Sequence, residues 1–418
     1  MYKLHQYWEH CDVQIPGLAM PPGGREILFP KKRGGDGACV WLAHSKGKVR
    51  LKSSYYIGVD WIDKQNAIYI APKLNEGARQ TDYLKMLFSC LKHPEVLEHT
   101  DDLFEIKFDQ PFLEIEQKQD LLTPLLVIQF LRVVHSIVKK GLKKSYYPIE
   151  ENLHGRIKSK VLVGQTIKQN IVKNRPLNTL CRYEEFGWNG LENRLLKKAL
   201  LFSQRYLAGG ISGFTVDVST VMNYCLPAFE TVSEKIGLTE IKYTKTNAFY
   251  KEYKECTRLA KLILKRFGYN IQTVKQNKEV KVPPFWIDMS KLFELYVLGL
   301  LKDKFGKDVW YHFTTQWNEL DYLLNTPTHK MVIDAKYKPV YQNSYDINDI
   351  RQLSGYARIA NVVSELGVDP GQVVDCLIIY PDQYLGANEI FPEKFKSDPI
   401  GKFIRFYKMG VKLPEITT

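Results

Sequence analysis

Two strand-like runs joined by a short turn carry charged side chains at positions where a half-buried hairpin would need apolar ones. The runs are ELDYLLN and MVIDAKYK, and the turn lies in the sequence NTPTHK. If the chain turns between Pro327 and Thr328, the register places Asp321 opposite Asp334. Directly opposed side chains on antiparallel strands have Cβ atoms about 4.5–5.5 Å apart, so two carboxylates there repel each other unless a cation lies between them.

The same strand also supplies an amine. Alternation along a strand puts Lys336 on the face that carries Asp334, so two carboxylates and one ammonium group converge. Oxygen ligands without thiolate or imidazole favour Mg²⁺ or Mn²⁺ over zinc. A metal of this kind beside a lysine can neutralise the charge that develops when a phosphodiester is cleaved. The pattern therefore predicts a metal-dependent phosphodiesterase, and an ordinary ion pair on an exposed hairpin face is the alternative.

Two predicted helices carry further candidates. Glu294, in the helix before the hairpin, is either an additional acid of the site or a helix-surface charge. Gln352 and Tyr356 are four residues apart and share a helix face next to Arg351. They are suited to hold the lysine or a DNA phosphate, although the same pattern is typical of an ordinary amphipathic helix.

The charge of the chain favours a polyanionic partner. The formal net charge is +13 and the pI is about 9.1. The segment from residue 132 to residue 175 contains eleven basic and two acidic residues. It either follows a phosphate backbone or forms a solvated face. Nucleic acid is the predicted partner. The candidate contacts to DNA in the two regions are Lys143, Lys144, Arg156, Lys338, Arg351 and Tyr356.

The pattern of elements predicts a multidomain α+β protein. Residues 1–118 contain short β-rich runs that favour a barrel-like domain, which is also the candidate docking region for a partner. Residues 119–284 read as a helical, basic middle domain that ends in the linker TVKQNKEVKVPP. Residues 285–418 have the order αβββαβ, typical of a mixed α/β sheet, with Ser290 as a possible cap of the first helix.

The sequence predicts a cytoplasmic protein. No apolar run approaches the roughly 20 residues that a membrane span needs. The seven cysteines are scattered singly, which predicts buried thiols in a reducing compartment.

The site residues occur in a recognisable series. Glu294, Asp321, Asp334-Ala335-Lys336 and the Gln352/Tyr356 pair together resemble the PD-(D/E)xK nuclease superfamily, in the branch that carries a QxxxY motif. The segments SKLFELYV, IDAKYKPV, RYEEF and NGLENRLLKKAL resemble the McrC family, the nuclease subunit of McrBC-type restriction systems. The resemblance covers the chain from about residue 120 onward. It departs from the superfamily pattern at Leu320, where proline is expected, and at Asp334, where glutamate is commoner.

The resemblance implies specific roles. Asp321, Asp334 and the backbone carbonyl of Ala335 would bind Mg²⁺ or Mn²⁺, Lys336 would be the catalytic lysine, and Glu294 and Gln352 would support the site. It implies a double-stranded DNA substrate and an McrB-type hexameric AAA+ GTPase whose GTP hydrolysis the chain stimulates. No GxxxxGK[ST] motif occurs in the sequence, so the nucleotide motor would be another chain.

Three functions therefore remain open at the level of sequence. The first is a Mg²⁺-dependent endonuclease subunit that acts with the GTPase ring, with the basic loop GREILFPKKRGG as a candidate docking element. The second is a non-enzymatic activator that only binds DNA or the ring. The third is a stand-alone repair nuclease.

Overall fold

The computed structural model of the chain describes most of its residues. The described residues are 2–16, 18, 24–29, 37–45, 48–74, 80–90, 92–116, 122–208, 219–237, 240, 250–273, 279–315 and 319–416. Residues 30–35, the second half of the loop GREILFPKKRGG, lie outside them. No helix of the described residues is long and apolar enough to span a bilayer.

The chain contains both strands and helices throughout. The strands are β1 (Lys3–Trp8), β2 (Asp12–Ile15), β3 (Arg25–Leu28), β4 (Ala38–Ser45), β5 (Lys48–Ser53), β6 (Tyr56–Trp61), β7 (Asn66–Ala71), β8 (Phe104–Ile106), β9 (Leu113–Glu116), β10 (Ser145–His154), β11 (Lys160–Val161), β12 (Asn178–Gly187), β13 (Glu279–Val282), β14 (Phe285–Asp288), β15 (Val309–Thr314), β16 (Glu319–Asn325), β17 (Lys330–Ala335), β18 (Asp375–Pro381) and β19 (Phe406–Val411). The α-helices are α1 (Tyr83–Cys90), α2 (Pro94–Glu98), α3 (Leu122–Lys140), α4 (Val163–Thr166), α5 (Leu191–Ala208), α6 (Ser219–Cys225), α7 (Lys251–Thr273), α8 (Met289–Phe305), α9 (Ile347–Tyr356) and α10 (Ala360–Leu366). The predicted α+β class is confirmed.

The described chain divides into two compact units. The first comprises residues 1–122, 210–218 and 277–418, and the second comprises residues 123–209 and 219–276. This division does not test the three predicted domains, 1–118, 119–284 and 285–418, which stay a prediction.

The N-terminal strands of the first unit form two open sheets. One sheet has the order β1-β7-β6-β14-β8 and the other has the order β2-β5-β4-β3. Among the described residues these strands do not close into a barrel, so the predicted barrel-like domain is not confirmed. The short sheet β13-β9 includes residues 279–282, so part of the predicted linker is a strand.

Strand β14 connects the start of the C-terminal region to the N-terminal sheet. It pairs antiparallel with both β6 and β8, and all four of its residues are buried. The Trp286 side chain is fully buried, and its Nε1–H donates to Oδ2 of Asp60 at 2.8 Å. Lys107 Nζ lies 2.6 Å from the same carboxylate oxygen and balances its charge. The strand is thereby fixed by backbone pairing and by a buried polar contact.

The C-terminal sheet has the order β15-β16-β17-β18-β19. The strands β15, β16 and β17 are antiparallel neighbours, whereas β18 and β19 are added in parallel. Apolar side chains of the sheet and of α9 and α10 form one core, with Leu320, Val332 and Ile378 fully buried within it. The predicted element order is present, with β19 in addition and with two helices where one was predicted.

The N-cap of α8 lies two residues before the predicted cap. The carboxylate of Asp288 accepts a hydrogen bond from the Lys291 amide, so Asp288 is the N-cap and the prediction of Ser290 was wrong. An aspartate acceptor at this position satisfies one of the amides that the first helical turn leaves without a partner.

The second unit combines helices with a three-stranded sheet, β10-β12-β11. The strands β10 and β12 pair over ten residues each, from Ser145 opposite Gly187 to His154 opposite Asn178. Most of their side chains are exposed or half-buried. The region predicted as helical therefore also contains a sheet, whose strands lie between residues 145 and 187 on both sides of α4.

Candidate active site

The hairpin β16–β17 has the predicted register. Tyr322 pairs with Ile333, which places Asp321 opposite Asp334 on the neighbouring strand. The Ala335 amide donates to Oδ2 of Asp321 at 2.9 Å and ties the two strands together at this point. The prediction that the two carboxylates face each other across the hairpin is thereby confirmed.

Lys336 lies between a carboxylate and an amide. Its Nζ is 2.8 Å from Oδ2 of Asp334 and 3.4 Å from Oε1 of Gln352. The Gln352 Nε2 in turn donates to the Tyr356 hydroxyl at 2.9 Å. Because the amide nitrogen is committed to Tyr356, the amide oxygen is directed at the lysine. The i, i+4 pair on α9 therefore orients Gln352 toward the ammonium group.

Glu294 is held by three donors that the sequence analysis did not identify. Its Oε1 accepts from the Tyr311 hydroxyl at 2.6 Å and lies 2.8 Å from His312 Nε2. Lys291 Nζ is 3.4 Å from the same oxygen. Glu294 therefore belongs to a polar cluster between α8 and β15.

Glu294 and Asp321 line one open cavity of about 270 Å³. The other residues around it are Asp102, Asp288, Ser290, Lys291, His312 and Glu319. Five carboxylates against one lysine and one histidine make this cavity attractive to cations. It is large enough for an ion with several water molecules.

The two opposed carboxylates titrate abnormally. Burial raises the pKa of Asp321 well above its usual range, and the charges of Asp334 and Glu294 raise it further. Burial also raises the pKa of Asp334, although Lys336 opposes this shift. Two buried carboxylates side by side cannot both ionise easily without a compensating positive charge. The local electrostatics therefore favour a bound cation.

Lys336 and Glu294 remain charged. Burial alone would lower the pKa of Lys336, but the carboxylates of Asp334 and Asp321 outweigh it and raise the pKa above the ordinary value. Burial alone would raise the pKa of Glu294, but the bonds from His312 and the charge of Lys291 lower it. At neutral pH the site therefore contains an ammonium group and an ionised glutamate besides the Asp321/Asp334 pair.

The donor set fits a magnesium-class ion. Oδ2 of Asp334 is buried and receives no hydrogen bond of normal geometry from the described residues, despite its ion pair with Lys336. No group of three acidic, histidine or cysteine side chains in the described part of the chain is arranged as a complete ligand set. Mg²⁺ commonly uses one or two protein carboxylates and retains several waters, so a pair of aspartates suffices for it.

The predicted DNA contacts of the C-terminal region differ in availability. Arg351 is exposed on α9 beside the Gln352/Tyr356 pair. Lys338 is engaged instead, because its Nζ lies 2.9 Å from Asp346 and 2.8 Å from Asp349. The structure thus leaves Arg351 accessible and uses Lys338 to fix the loop that follows β17.

The predicted contacts of the second unit also differ. Lys143 Nζ is 2.5 Å from the Glu192 carboxylate and is mostly buried. Lys144 Nζ lies 4.6 Å from the ring centre of Trp188, and Arg156 is exposed after β10. Of these three predicted contacts, Lys144 and Arg156 present their charge at the surface of the second unit, and Lys143 does not.

The sequence analysis missed His312 and Lys291. His312 has a left-handed backbone, with φ of 52°, and its Nδ1 lies 2.6 Å from Glu319. His312 lies opposite Asp321 because β15 pairs with β16 in this register. The sequence between the two strands contains no turn motif that would predict the register. Lys291 was detectable, because it precedes Glu294 by three residues on one helix face.

A model of one known protein family matches most of the chain. The family model described as McrBC 5-methylcytosine restriction system component matches residues 51–368, more than half of the chain. No curated protein sequence matches the chain. One similar solved structure is a chain of the refined half-complex from a tetradecameric assembly of Thermococcus gammatolerans McrB AAA+ hexamers with bound McrC. It has 15% identity and a TM-score of 0.39, over 98% of this chain and 94% of that chain.

A second similar structure is a chain of the cryo-EM Thermococcus gammatolerans McrBC complex, with 15% identity and a TM-score of 0.28, over 72% of this chain and 87% of that chain. The assignment rests on the family model, whose matched range includes the hairpin, Glu294 and the Gln352/Tyr356 pair. The chain belongs to the McrBC family of 5-methylcytosine restriction system components.

Proposed function

We propose that this chain is the nuclease subunit of an McrBC-type restriction system, a Mg²⁺-dependent endonuclease that cleaves double-stranded DNA together with an McrB-type AAA+ GTPase. The observation that carries the proposal is the convergence of Asp321, Asp334 and Lys336 at one point of the β16–β17 hairpin. The order of α8, β15–β17, α9 and β18 around this point supports a PD-(D/E)xK arrangement. Membership of a restriction-system family supplies the class of substrate.

The residues of the site have distinct roles in this mechanism. Asp321, Asp334 and the carbonyl of Ala335 would hold the metal, which supplies charge neutralisation and a bound water of lowered pKa. Lys336, which is protonated at neutral pH, stabilises the negative charge that develops on the scissile phosphate. Gln352 fixes the position of the ammonium group, and Glu294 keeps a negative charge on the far wall of the cavity. Arg351 and Tyr356 are placed to contact the DNA backbone.

Lys336→Ala tests the catalytic role directly. We expect Mg²⁺-dependent cleavage to fall by about 10²–10³-fold, since a preorganised positive group at the reacting phosphate is lost. Stimulation of the partner's GTP hydrolysis should persist, because Lys336 lies inside the nuclease site. Lys330→Ala, at the first residue of β17, is the matched control, since Lys330 Nζ donates to the Gly367 carbonyl at 2.8 Å. Cleavage that survives Lys336→Ala at the wild-type rate refutes the nuclease assignment and leaves the activator function.

The proposed partnership with the GTPase is supported by apolar side chains at the surface of the second unit. Tyr146 and Phe186 pair across β10 and β12, with ring centres 5.1 Å apart and exposures of 71% and 58%. Exposed aliphatic residues follow in and around α4, namely Ile157, Val163, Ile167, Ile171, Val172 and Leu177. We propose that these exposed apolar side chains bind the GTPase ring, since large exposed apolar patches mark protein-binding sites.

The double variant Tyr146→Ala/Phe186→Ala tests this surface. We expect the apparent Kd for the GTPase ring to rise about tenfold or more, because exposed aromatic anchors commonly contribute a large share of binding energy. Association can be measured by light scattering, with stimulation of GTP hydrolysis as a second readout. Ile404→Ser, which changes an equally exposed apolar residue of the first unit, serves as the control. Equal effects of the two changes would remove this surface as the docking site.

A further inference from the structure

Glu9 directly follows β1, and its buried carboxylate contacts Tyr337, the residue after the proposed catalytic lysine. Glu9 is 2% exposed, and its Oε1 accepts from the Lys73 amide at 2.9 Å and from the Tyr337 hydroxyl at 2.8 Å. Its Oε2 is buried without a hydrogen-bond partner among the described residues. Tyr337 directly follows Lys336. The contact therefore connects residues that are more than three hundred positions apart in the chain.

Lys73 holds the same tyrosine at two further points. Its Nζ donates to the Tyr337 carbonyl at 2.9 Å and lies 4.0 Å from the centre of the Tyr337 ring. On its other side the ring packs against Phe293 of α8, with centres 5.7 Å apart. The hydroxyl of Tyr337 is thus held by Glu9, and its ring and carbonyl are held by Lys73.

Fixing Tyr337 also fixes Lys336. The Lys336 amide donates to the Ile379 carbonyl at 2.9 Å, so the backbone is held on one side of the lysine by β18 and on the other by Lys73. Small displacements of a catalytic group lower reaction rates strongly, by up to about a hundredfold for a shift of about 1 Å. A contact that holds the backbone next to Lys336 therefore acts on the position of its ammonium group against Asp334.

We infer that Glu9, Lys73 and Tyr337 form a clamp whose role is to position Lys336 for the cleavage reaction. This inference rests on the proposed nuclease function. Simple core packing accounts poorly for the cluster, because a buried carboxylate with an unpartnered oxygen costs more free energy than an apolar side chain of the same size. Glu9 and Lys73 are positioning residues and act through Tyr337.

The clamp changes charge near neutral pH. Burial raises the pKa of Glu9 to about 7 and outweighs Lys73 and Tyr337, which lower it, while Asp288 adds to the rise. Burial lowers the pKa of Lys73, and Lys338 acts in the same direction. Burial also lowers the pKa of the neighbouring His10, to about 4, so its imidazole is neutral. Ionised Glu9 is the stronger acceptor, so the clamp tightens as pH rises through about 7.

The test compares Tyr337→Phe with Tyr296→Phe under single-turnover conditions. Tyr296 is another buried tyrosine of the first unit, and its hydroxyl donates to the Lys412 carbonyl at 3.2 Å. We expect Tyr337→Phe to slow cleavage about tenfold with an unchanged KM for DNA, and Tyr296→Phe to have little effect. Glu9→Gln keeps an acceptor but stays neutral at every pH, so it should show the lower activity of the weaker clamp throughout and lose the rise of the pH profile near 7.

A second readout is independent of cleavage. The rate at which an amine-acylating reagent modifies Lys336, followed by peptide mass spectrometry, reports how firmly the ammonium group is held against Asp334. We expect this rate to rise severalfold in Tyr337→Phe and to stay unchanged in Tyr296→Phe, with Lys330 as the internal reference. Unchanged labelling of Lys336, or loss of activity that merely follows Tm in both tyrosine variants, overturns the clamp. A wild-type protein that does not cleave, together with the predicted labelling, overturns the nuclease function and leaves the clamp in place.

Discussion

Asp321→Asn is expected to abolish Mg²⁺-dependent cleavage and at the same time to stabilise the folded protein at neutral pH. The lost metal ligand should lower the rate by more than about 10³-fold, because charge neutralisation by the ion contributes several kcal/mol to the transition state. The asparagine oxygen can still accept the hydrogen bond from the Ala335 amide, so the hairpin keeps its geometry. What the variant loses is a carboxylate charge that burial and Asp334 disfavour.

The pH dependence of this stabilisation has a defined sign. Burial raises the pKa of Asp321 in the folded protein. The stabilising contribution of protonated Asp321 is therefore fully present only below the unfolded pKa of about 3.9, and it is lost as pH rises through the folded pKa. The difference in unfolding free energy between Asp321→Asn and the wild type should therefore be small in acid and grow toward neutral pH. Thermal denaturation over a pH series, without divalent ions, measures it.

Asp375→Asn is the matched control for this prediction. Burial alone would raise the pKa of Asp375, but hydrogen bonds from Arg405 and Lys396 lower it below the ordinary value. Its ionised form therefore stabilises the fold at neutral pH, and the substitution should destabilise the protein while leaving cleavage in place. Asp334→Ala, in contrast, should lose cleavage like Asp321→Asn but gain no stability, because Lys336 is left without its ion-pair partner. Equal stability changes in all three variants would contradict the electrostatic account of the site.

Trp286→Ala is expected to destabilise the first unit by about 3–5 kcal/mol, since a fully buried tryptophan is replaced by a cavity. The change also removes the hydrogen bond to Asp60, which then depends on Lys107 alone for its charge. Denaturant unfolding followed by far-UV circular dichroism measures the cost. Trp286→Phe fills most of the volume without the Nε1 donor and should cost less. A cost below about 1 kcal/mol for Trp286→Ala would mean that β14 is dispensable for the N-terminal sheet.

The hairpin of the candidate site could be predicted from sequence because its information is local. The turn at Pro327 and the alternation of side chains fix the register, and the register fixes the opposition of Asp321 and Asp334. The QxxxY spacing on α9 is equally local, since four residues on a helix define one face. These features need no knowledge of distant parts of the chain.

The features that escaped prediction depend on distant partners. Nothing near His312 announces that β15 pairs with β16 in the register that places it opposite Asp321. The strands β10 and β12 are rich in exposed polar and acidic residues, so the segment lacks the apolar alternation by which a strand is recognised. In the sequence, β14 resembles the first element of a new domain. Its pairing with Val59 and Ile106 shows that it belongs instead to the sheet formed by the N-terminal strands.

This placement of β14 bears on how the protein is made. The residues that complete the N-terminal sheet leave the ribosome only after more than two hundred further residues have followed β6. Until then, β6 and β8 each expose an unpaired edge to other nascent chains. We expect the early translation product to need chaperone protection, and the final closing of the sheet to be a late event of biosynthesis.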